Sequence, residues 1–357
     1  MPKFTLFGRL FPSHAIGRID KETTLSHATI GPIAVYLPAM VESNDELAAR
    51  FPRWDMEIIQ QKTGIARRHI AAEDECVSDL AVAAAEKLFA ENDIDRQSID
   101  FILLCTQTPD YPLPTTACLV QDRLGLAPST GALDFNLGCS GFVYGLSLAE
   151  GLIASGSAKR ILLITSETYS KYIDQEDRSL RTIFGDGAAA TLIEAGEERS
   201  LQSFRFGTDG SGADMLMLTR SGVRTPETAL QPRKRHRWKS DLYMDGQGLI
   251  YFTLEKIPGL IEEIIRDAGT SREEIDLYLM HQPTRLLLEK LRETLKLDDK
   301  QLPMDLEYCG NTVSSTIPIL INDLRTSGDL KPGMKSLLVG FGVGLSWAGC
   351  LWTESNS

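Results

Sequence analysis

Short continuous apolar runs alternate along this chain with longer stretches whose apolar positions recur at helical spacing. The runs in "IDFILLCTQTP" from Ile99, "KRILLITSE" from Lys159, "IDLYLMHQPT" from Ile275 and "MKSLLVGFG" from Met334 have no polar alternation. That pattern predicts strands buried on both faces. The helical class is clearest in "LYLMHQPTRLLLEKLRETL", where Leu287, Leu288, Leu291 and Leu295 fall on one stripe and Arg285, Arg292 and Lys296 lie off it. Buried strands alternating with helices predict an α/β fold with both sheet faces covered.

The pattern repeats once. The runs from Ile99 and Ile275 each follow a helix-like segment and a polar turn, and aligning them sets Cys105 opposite His281. The runs from Lys159 and Met334 each follow a helix and a Ser-Gly turn, and "FGDGAAATLIEA" parallels "GVGLSWAGCLWTE". Two similar halves predict a five-layer αβαβα sandwich of two sheets around shared central helices. The expected division is an N-terminal extension at 1–25, a first half at 26–200 and a second at 201–357. Residues 220–240 read as a long loop.

Composition narrows the function. A chain of 357 residues with 43% hydrophobic and 24% charged residues suits an ordinary soluble protein. No apolar run is long enough to span a bilayer, and the N-terminus lacks the apolar core of a secretory signal. The six cysteines are scattered without a CxxC pair, so reduced thiols in the cytoplasm are expected, with neither a disulfide framework nor a metal site. A net charge of −12 argues against broad binding to nucleic acid or an anionic membrane.

Four stretches carry reactive groups. Cys139 lies between Gly138 and Gly141, at the start of a helix expected over Ser140–Ser155. Free N–H groups at a helix N-terminus favour an anion and can bring a thiol from about 8.5 into the ~3.5–7.5 range. The same place suits a small buried hydrophobe. His281 ends a strand run, where a structural histidine is equally at home. Asn311 in "GNTVSST" opens a helix start, and Asn caps helices well. The "GFGVG" turn offers backbone amides for an oxyanion or a tight bend. A thiol, an imidazole, a carboxamide and free amides together suit acyl transfer through a cysteine thioester.

These stretches resemble the β-ketoacyl-acyl-carrier-protein synthase III group of the thiolase superfamily. The likeness runs through "KTGIARRHIAA" (62–72), "NLGCSGFVYGL" (136–146), "RTIFGDGAAA" (181–190), "HQPT" (281–284), "GNTVSST" (310–316) and "GFGVGLSWAG" (340–349), in matching order and spacing from about Ile30 to Glu354. It implies a thiolase-like five-layer homodimer with Cys139 as nucleophile and His281 and Asn311 as its partners. It implies an oxyanion hole of the Cys139 and Val343 backbone N–H groups. The reaction implied is decarboxylative condensation of an acyl group on Cys139 with a malonyl thioester, expected from malonyl-acyl carrier protein. The acyl donor would be an acyl-coenzyme A or an acyl carrier protein, and no metal or redox cofactor is required.

The resemblance also assigns substrate and partner contacts. Arg178, six residues before Phe184, matches an adenine-facing arginine, but a second one is Lys62 here and the stacking tryptophan is Ile58. Leu113 occupies the place of a residue that limits the acyl pocket across the dimer, which suggests a longer or branched acyl group. Segment 220–240 holds seven Lys or Arg against Glu227, so Arg233, Lys234 and Arg235, with Arg285, are expected to meet an acidic carrier protein. Two other readings stand beside condensation: an acyltransferase making an ester or amide without decarboxylation, and a non-catalytic partner subunit. Asn311 speaks against the first, and the intact Cys139, His281 and Asn311 against the second.

Overall fold

A computed structural model describes residues 26–219, 222–224, 228–234 and 241–355. The N-terminal extension, Arg235 and part of the 220–240 segment lie outside the described residues. The first half runs β1 (His27–Tyr36), β2 (Met40–Ser43), α1 (Asn44–Arg50), α2 (Met56–Thr63), β3 (Arg67–Ile70), α3 (Val77–Asn92), β4 (Phe101–Cys105), α4 (Thr116–Arg123), β5 (Gly131–Phe135), α5 (Gly141–Ala154), β6 (Arg160–Glu167), α6 (Arg178–Arg181) and β7 (Gly187–Gly196). The second runs β8 (Leu201–Thr208), β9 (Leu216–Leu218), β10 (Leu242–Met244), α7 (Gly246–Ala268), β11 (Leu277–Met280), α8 (Arg285–Leu295), α9 (Thr316–Ser327), β12 (Lys335–Gly342) and β13 (Ser346–Thr353).

The two main sheets share one plan. In the first, strand order is β1-β7-β6-β4-β5; in the second it is β8-β13-β12-β11. β4 runs parallel to β6 and β11 parallel to β12, while the next two pairings of each sheet are antiparallel. The strand runs beginning near Ile99 and Ile275 therefore occupy equivalent places. Among the described residues the second sheet has no counterpart of β5; there the Tyr278 N–H donates to the Gln301 carbonyl at 2.7 Å.

Strand alternation fixes the layers. On β6, Ile161 and Leu163 face the central core while Leu162 and Ile164 face α3 and α4. On β12, Leu338 faces the centre while Leu337, Val339 and Phe341 face α7 and α8. Helices α5 and α9 fill the middle, with Phe142, Leu146, Ile317 and Leu320 buried between the sheets. The stripe of α8 buries Leu287, Leu288, Leu291 and Leu295, and Thr284 caps its start by accepting from the Leu287 N–H. The result is the five-layer αβαβα sandwich.

A small antiparallel pair, β2 with β3, lies beside the main sheets and carries a fully buried arginine. Arg68 donates to the Glu42 carbonyl at 3.0 Å, to Asn44 Oδ1 at 3.0 Å and to the Thr182 carbonyl at 3.3 Å. It ties this pair to the loop that leads into Phe184. Burial lowers its pKa to about 10, partly offset by Glu42, so it stays charged at neutral pH.

Phe142 tests the central layer. Phe142→Ala should lower unfolding stability by about 3–5 kcal/mol, read from urea denaturation. An unchanged midpoint would place this layer's contribution elsewhere.

Candidate active site

Cys139 stands where α5 begins, 7% exposed. The turn is crowded. A Cβ on Gly141 would come within 2.2 Å of Cys105 Sγ, and one on Gly138 within 2.4 Å of Gln107 Oε1. Strand β12 passes equally close: a Cβ on Gly342 would sit 2.7 Å from Cys139 Sγ, and one on Gly340 2.6 Å from the Cys139 carbonyl oxygen. At Gly340 the obstacle is backbone and at Gly141 and Gly342 it is a cysteine sulfur, so only hydrogen fits there; at Gly138 it is the movable tip of Gln107.

The backbone N–H groups of Val343 and Cys139 both bond to the thiol sulfur and favour its anion, yet burial outweighs them and Glu167 adds to it. The Cys139 thiol is pushed up to about 12. A helix N-terminus can lower a thiol; here desolvation outweighs that effect. The other buried thiols, Cys105, Cys309 and Cys350, are raised by burial as well.

His281 follows β11 directly and is 1% exposed. Burial lowers its pKa to about 3, so its ring is neutral at physiological pH. Nδ1 lies 2.7 Å from Thr316 Oγ1, which is also 3.2 Å from the Val313 carbonyl. Asn311 is held by its backbone: its N–H donates to the Ile183 carbonyl at 2.9 Å, and its carbonyl accepts from the Gly185 N–H at 3.1 Å. Its side-chain oxygen accepts from the Val313 N–H at 2.9 Å. Asn311 thus braces the first N–H of the turn at 313–315, whose N-cap is Thr312, and does not cap helix α9, whose N-cap is Ser315. With the oxygen occupied, the amide NH2 is the group left for a ligand. Val313, a β-branched residue, has φ +58°, a strained conformation held by that bond and by burial of its side chain.

Cys139, His281, Asn311, Phe184 and Lys62 line one cavity of about 530 Å³. Its walls are mainly apolar, including Ile183, Leu249, Leu287 and Phe341. Arg285 lies between the lining residues Thr284 and Leu286 and packs against Gly64. Arg178 is exposed on α6, outside the lining residues, and Leu113 is 82% exposed, away from its own chain's cavity. Ile58 is exposed on α2. Arg233 pairs with Asp214 at 2.9 Å and Lys234 with Asp245 at 2.7 Å, so these two cations already have acidic partners.

Sequence reasoning passed over several groups behind the site. Glu167 is fully buried and accepts from the Gln107 N–H, the Thr108 hydroxyl and the Ser314 hydroxyl. Burial raises its pKa to about 8 against those bonds, so its carboxyl holds a proton at neutral pH. Asp186 bonds the Ala71 and Ser170 N–H groups. The acidic residue after an apolar strand run was the only available signal for Glu167.

Family models for 3-oxoacyl-[acyl-carrier-protein] synthase III match residues 133–210, and its C-terminal region residues 265–353. A β-ketoacyl-[acyl-carrier-protein] synthase III of Lactococcus lactis subsp. lactis is 37% identical over 326 residues, covering 90% of this chain and 98% of that protein. A solved 3-oxoacyl-(acyl-carrier-protein) synthase III superposes with TM-score 0.87 and 46% identity over 92% of this chain and 99% of its own. The 3-oxoacyl-(acyl-carrier protein) synthase of Burkholderia xenovorans superposes with TM-score 0.85 and 33% identity, covering 92% and 94%. With its duplicated sheets and with Cys139, His281 and Asn311 on one cavity, this chain belongs to the β-ketoacyl-acyl-carrier-protein synthase III family.

Proposed function

We propose that this protein condenses an acyl thioester with malonyl-acyl carrier protein, with loss of CO2, to give a 3-oxoacyl product in fatty-acid initiation or a related secondary-metabolite pathway. The observation that carries the residue roles is the convergence of a thiol, a neutral imidazole and a carboxamide NH2 on one apolar cavity. In the first step Cys139 Sγ attacks the donor thioester carbonyl, and the S–H proton leaves with the departing carrier or coenzyme A thiol. The oxyanion is held by the Cys139 and Val343 N–H groups, which already converge on the sulfur.

A neutral thiol needs a proton acceptor, and neutral His281 can serve. The Thr316 hydroxyl donates to the Val313 carbonyl and so can accept from Nδ1–H, leaving a lone pair on Nε2. That state takes the Cys139 proton and passes it to the departing thiol. Proton exchange with solvent, with the Thr316 hydroxyl turned to donate to Nδ1, gives the Nε2–H tautomer, which donates to the malonyl thioester carbonyl beside the Asn311 NH2 and stabilises the enolate formed as the C–CO2 bond breaks. The enolate carbon then attacks the acyl carbonyl, the new C–C bond forms, and Cys139 leaves as thiolate to regain a proton from solvent. Ester or amide formation has no use for the Asn311 amide, and its buried, backbone-fixed placement favours condensation.

The enzyme works as a cytoplasmic homodimer in this reading. The unpaired edge of β5, with exposed Leu113, Tyr111 and Leu133 nearby, is the surface a second copy would cover. Lys62, which lines the cavity, and Arg285, between its lining residues Thr284 and Leu286, suit an acidic carrier protein better than Arg233 and Lys234, whose charges are partnered. Arg178 would add to a coenzyme A donor's contacts.

Two experiments test these roles. Asn311→Ala and His281→Ala should each lower malonyl decarboxylation by ~10²–10³, while Cys139 still acquires an acyl adduct in Asn311→Ala, read by intact mass. Decarboxylation at the parent rate in either variant contradicts the assignment. Separately, alkylation of Cys139 in the free enzyme should rise about tenfold per pH unit from neutrality upward, since the thiolate fraction does. A plateau below pH 8 would show a thiolate already formed.

A further inference from the structure

A second cavity, of about 190 Å³, adjoins the first. The two share Leu216, and Gly342 lines the larger while Val343 lines the smaller. The larger leads outward past Lys62 and Leu286, the route for a carrier arm. The smaller is the space left for the acyl chain once its thioester oxygen meets the Val343 and Cys139 N–H groups.

That space is not a hydrocarbon slot. Leu216, Leu218 and Leu242 form one side, but Gln107, Asn136, Tyr169 and Tyr172 form the other. The buried Tyr169 hydroxyl donates to Gln107 Oε1, and Gln107 Nε2 donates to Asn136 Oδ1 at 3.1 Å. The two side-chain oxygens are thereby occupied. One N–H of the half-buried Gln107 remains as a donor, while Asn136 is exposed and its NH2 stays in reach of water. An apolar chain would strip water from the Gln107 donor and leave it unpaired. An oxygen on the chain would replace that water. The volume falls below the ~300–1,000 Å³ of drug-sized pockets, so the chain is short.

We propose that Gln107 and Tyr169 make the enzyme select a short acyl group bearing an oxygen acceptor, a hydroxyacyl or oxoacyl thioester, over a hydrocarbon chain of equal size. This rests on the condensing reading above and departs from the longer or branched chain suggested by Leu113. Tyr169 fixes the Gln107 amide, and burial keeps its hydroxyl protonated.

The test is competition between 3-hydroxybutyryl- and 3-methylbutyryl-coenzyme A, which differ by hydroxyl against methyl, read as intact-mass adducts on Cys139. The hydroxyacyl adduct should form at least about tenfold faster. Combined Gln107→Leu and Tyr169→Phe should abolish or reverse that preference. Equal or faster 3-methylbutyryl transfer to the parent enzyme overturns the inference and leaves the condensing reading intact. So does acylation by acetyl-coenzyme A but by neither of the pair. A preference that survives the double substitution overturns the assignment to these residues. No adduct from any donor, free or carrier-bound, defeats the condensing reading and this inference with it.

Discussion

The site depends on how closely strand β12 can pass the turn that carries Cys139. Gly340 and Gly342 let the second half's strand run against the carbonyl and sulfur of a residue belonging to the first half. That approach brings the Val343 N–H to the thiol, and it carries with it β11, whose end places His281. A methyl group at either glycine would meet backbone or sulfur rather than the tip of a flexible side chain. The pair of N–H groups proposed to hold the oxyanion is thus a product of packing between two sheets.

The same closeness governs the chemistry of the charged states. Excluding water raises the Cys139 thiol and the Glu167 carboxyl and lowers the His281 imidazole, so all three are neutral in the free enzyme at physiological pH. A neutral site is a suitable place to receive a malonyl carboxylate whose charge passes to the enolate as neutral CO2 leaves. Protonation states here follow from burial first and from neighbouring dipoles second, so a place at a helix N-terminus does not lower the Cys139 thiol.

Much of the fold was legible because strand burial and helix spacing are local patterns. The runs at Ile99, Lys159, Ile275 and Met334 became β4, β6, β11 and β12, and the leucine stripe of α8 is buried as its spacing requires. The pairing of Cys105 with His281 followed from the repeat. Individual roles were less legible. Asn311 braces a short turn instead of capping a helix, which depends on the strained Val313 backbone. The partners of Arg233 and Lys234 lie at Asp214 and Asp245, and no local pattern links them. Gln107 and Tyr169 meet across 62 residues of chain. Such contacts are set by tertiary packing, where a sequence without its fold has no periodicity to show.

The seam between the halves has a chemical character of its own. Near the site it is sewn by hydroxyls: Ser140 with Ser346 at 2.7 Å, Thr165 with Ser315 at 2.9 Å, and Ser314 with the protonated Glu167. None of these links carries a net charge, so dissolved ions have nothing there to screen. Added salt would then leave Cys139's turn and the Asn311 segment held together, because what joins them is hydroxyl chemistry and not ion pairing.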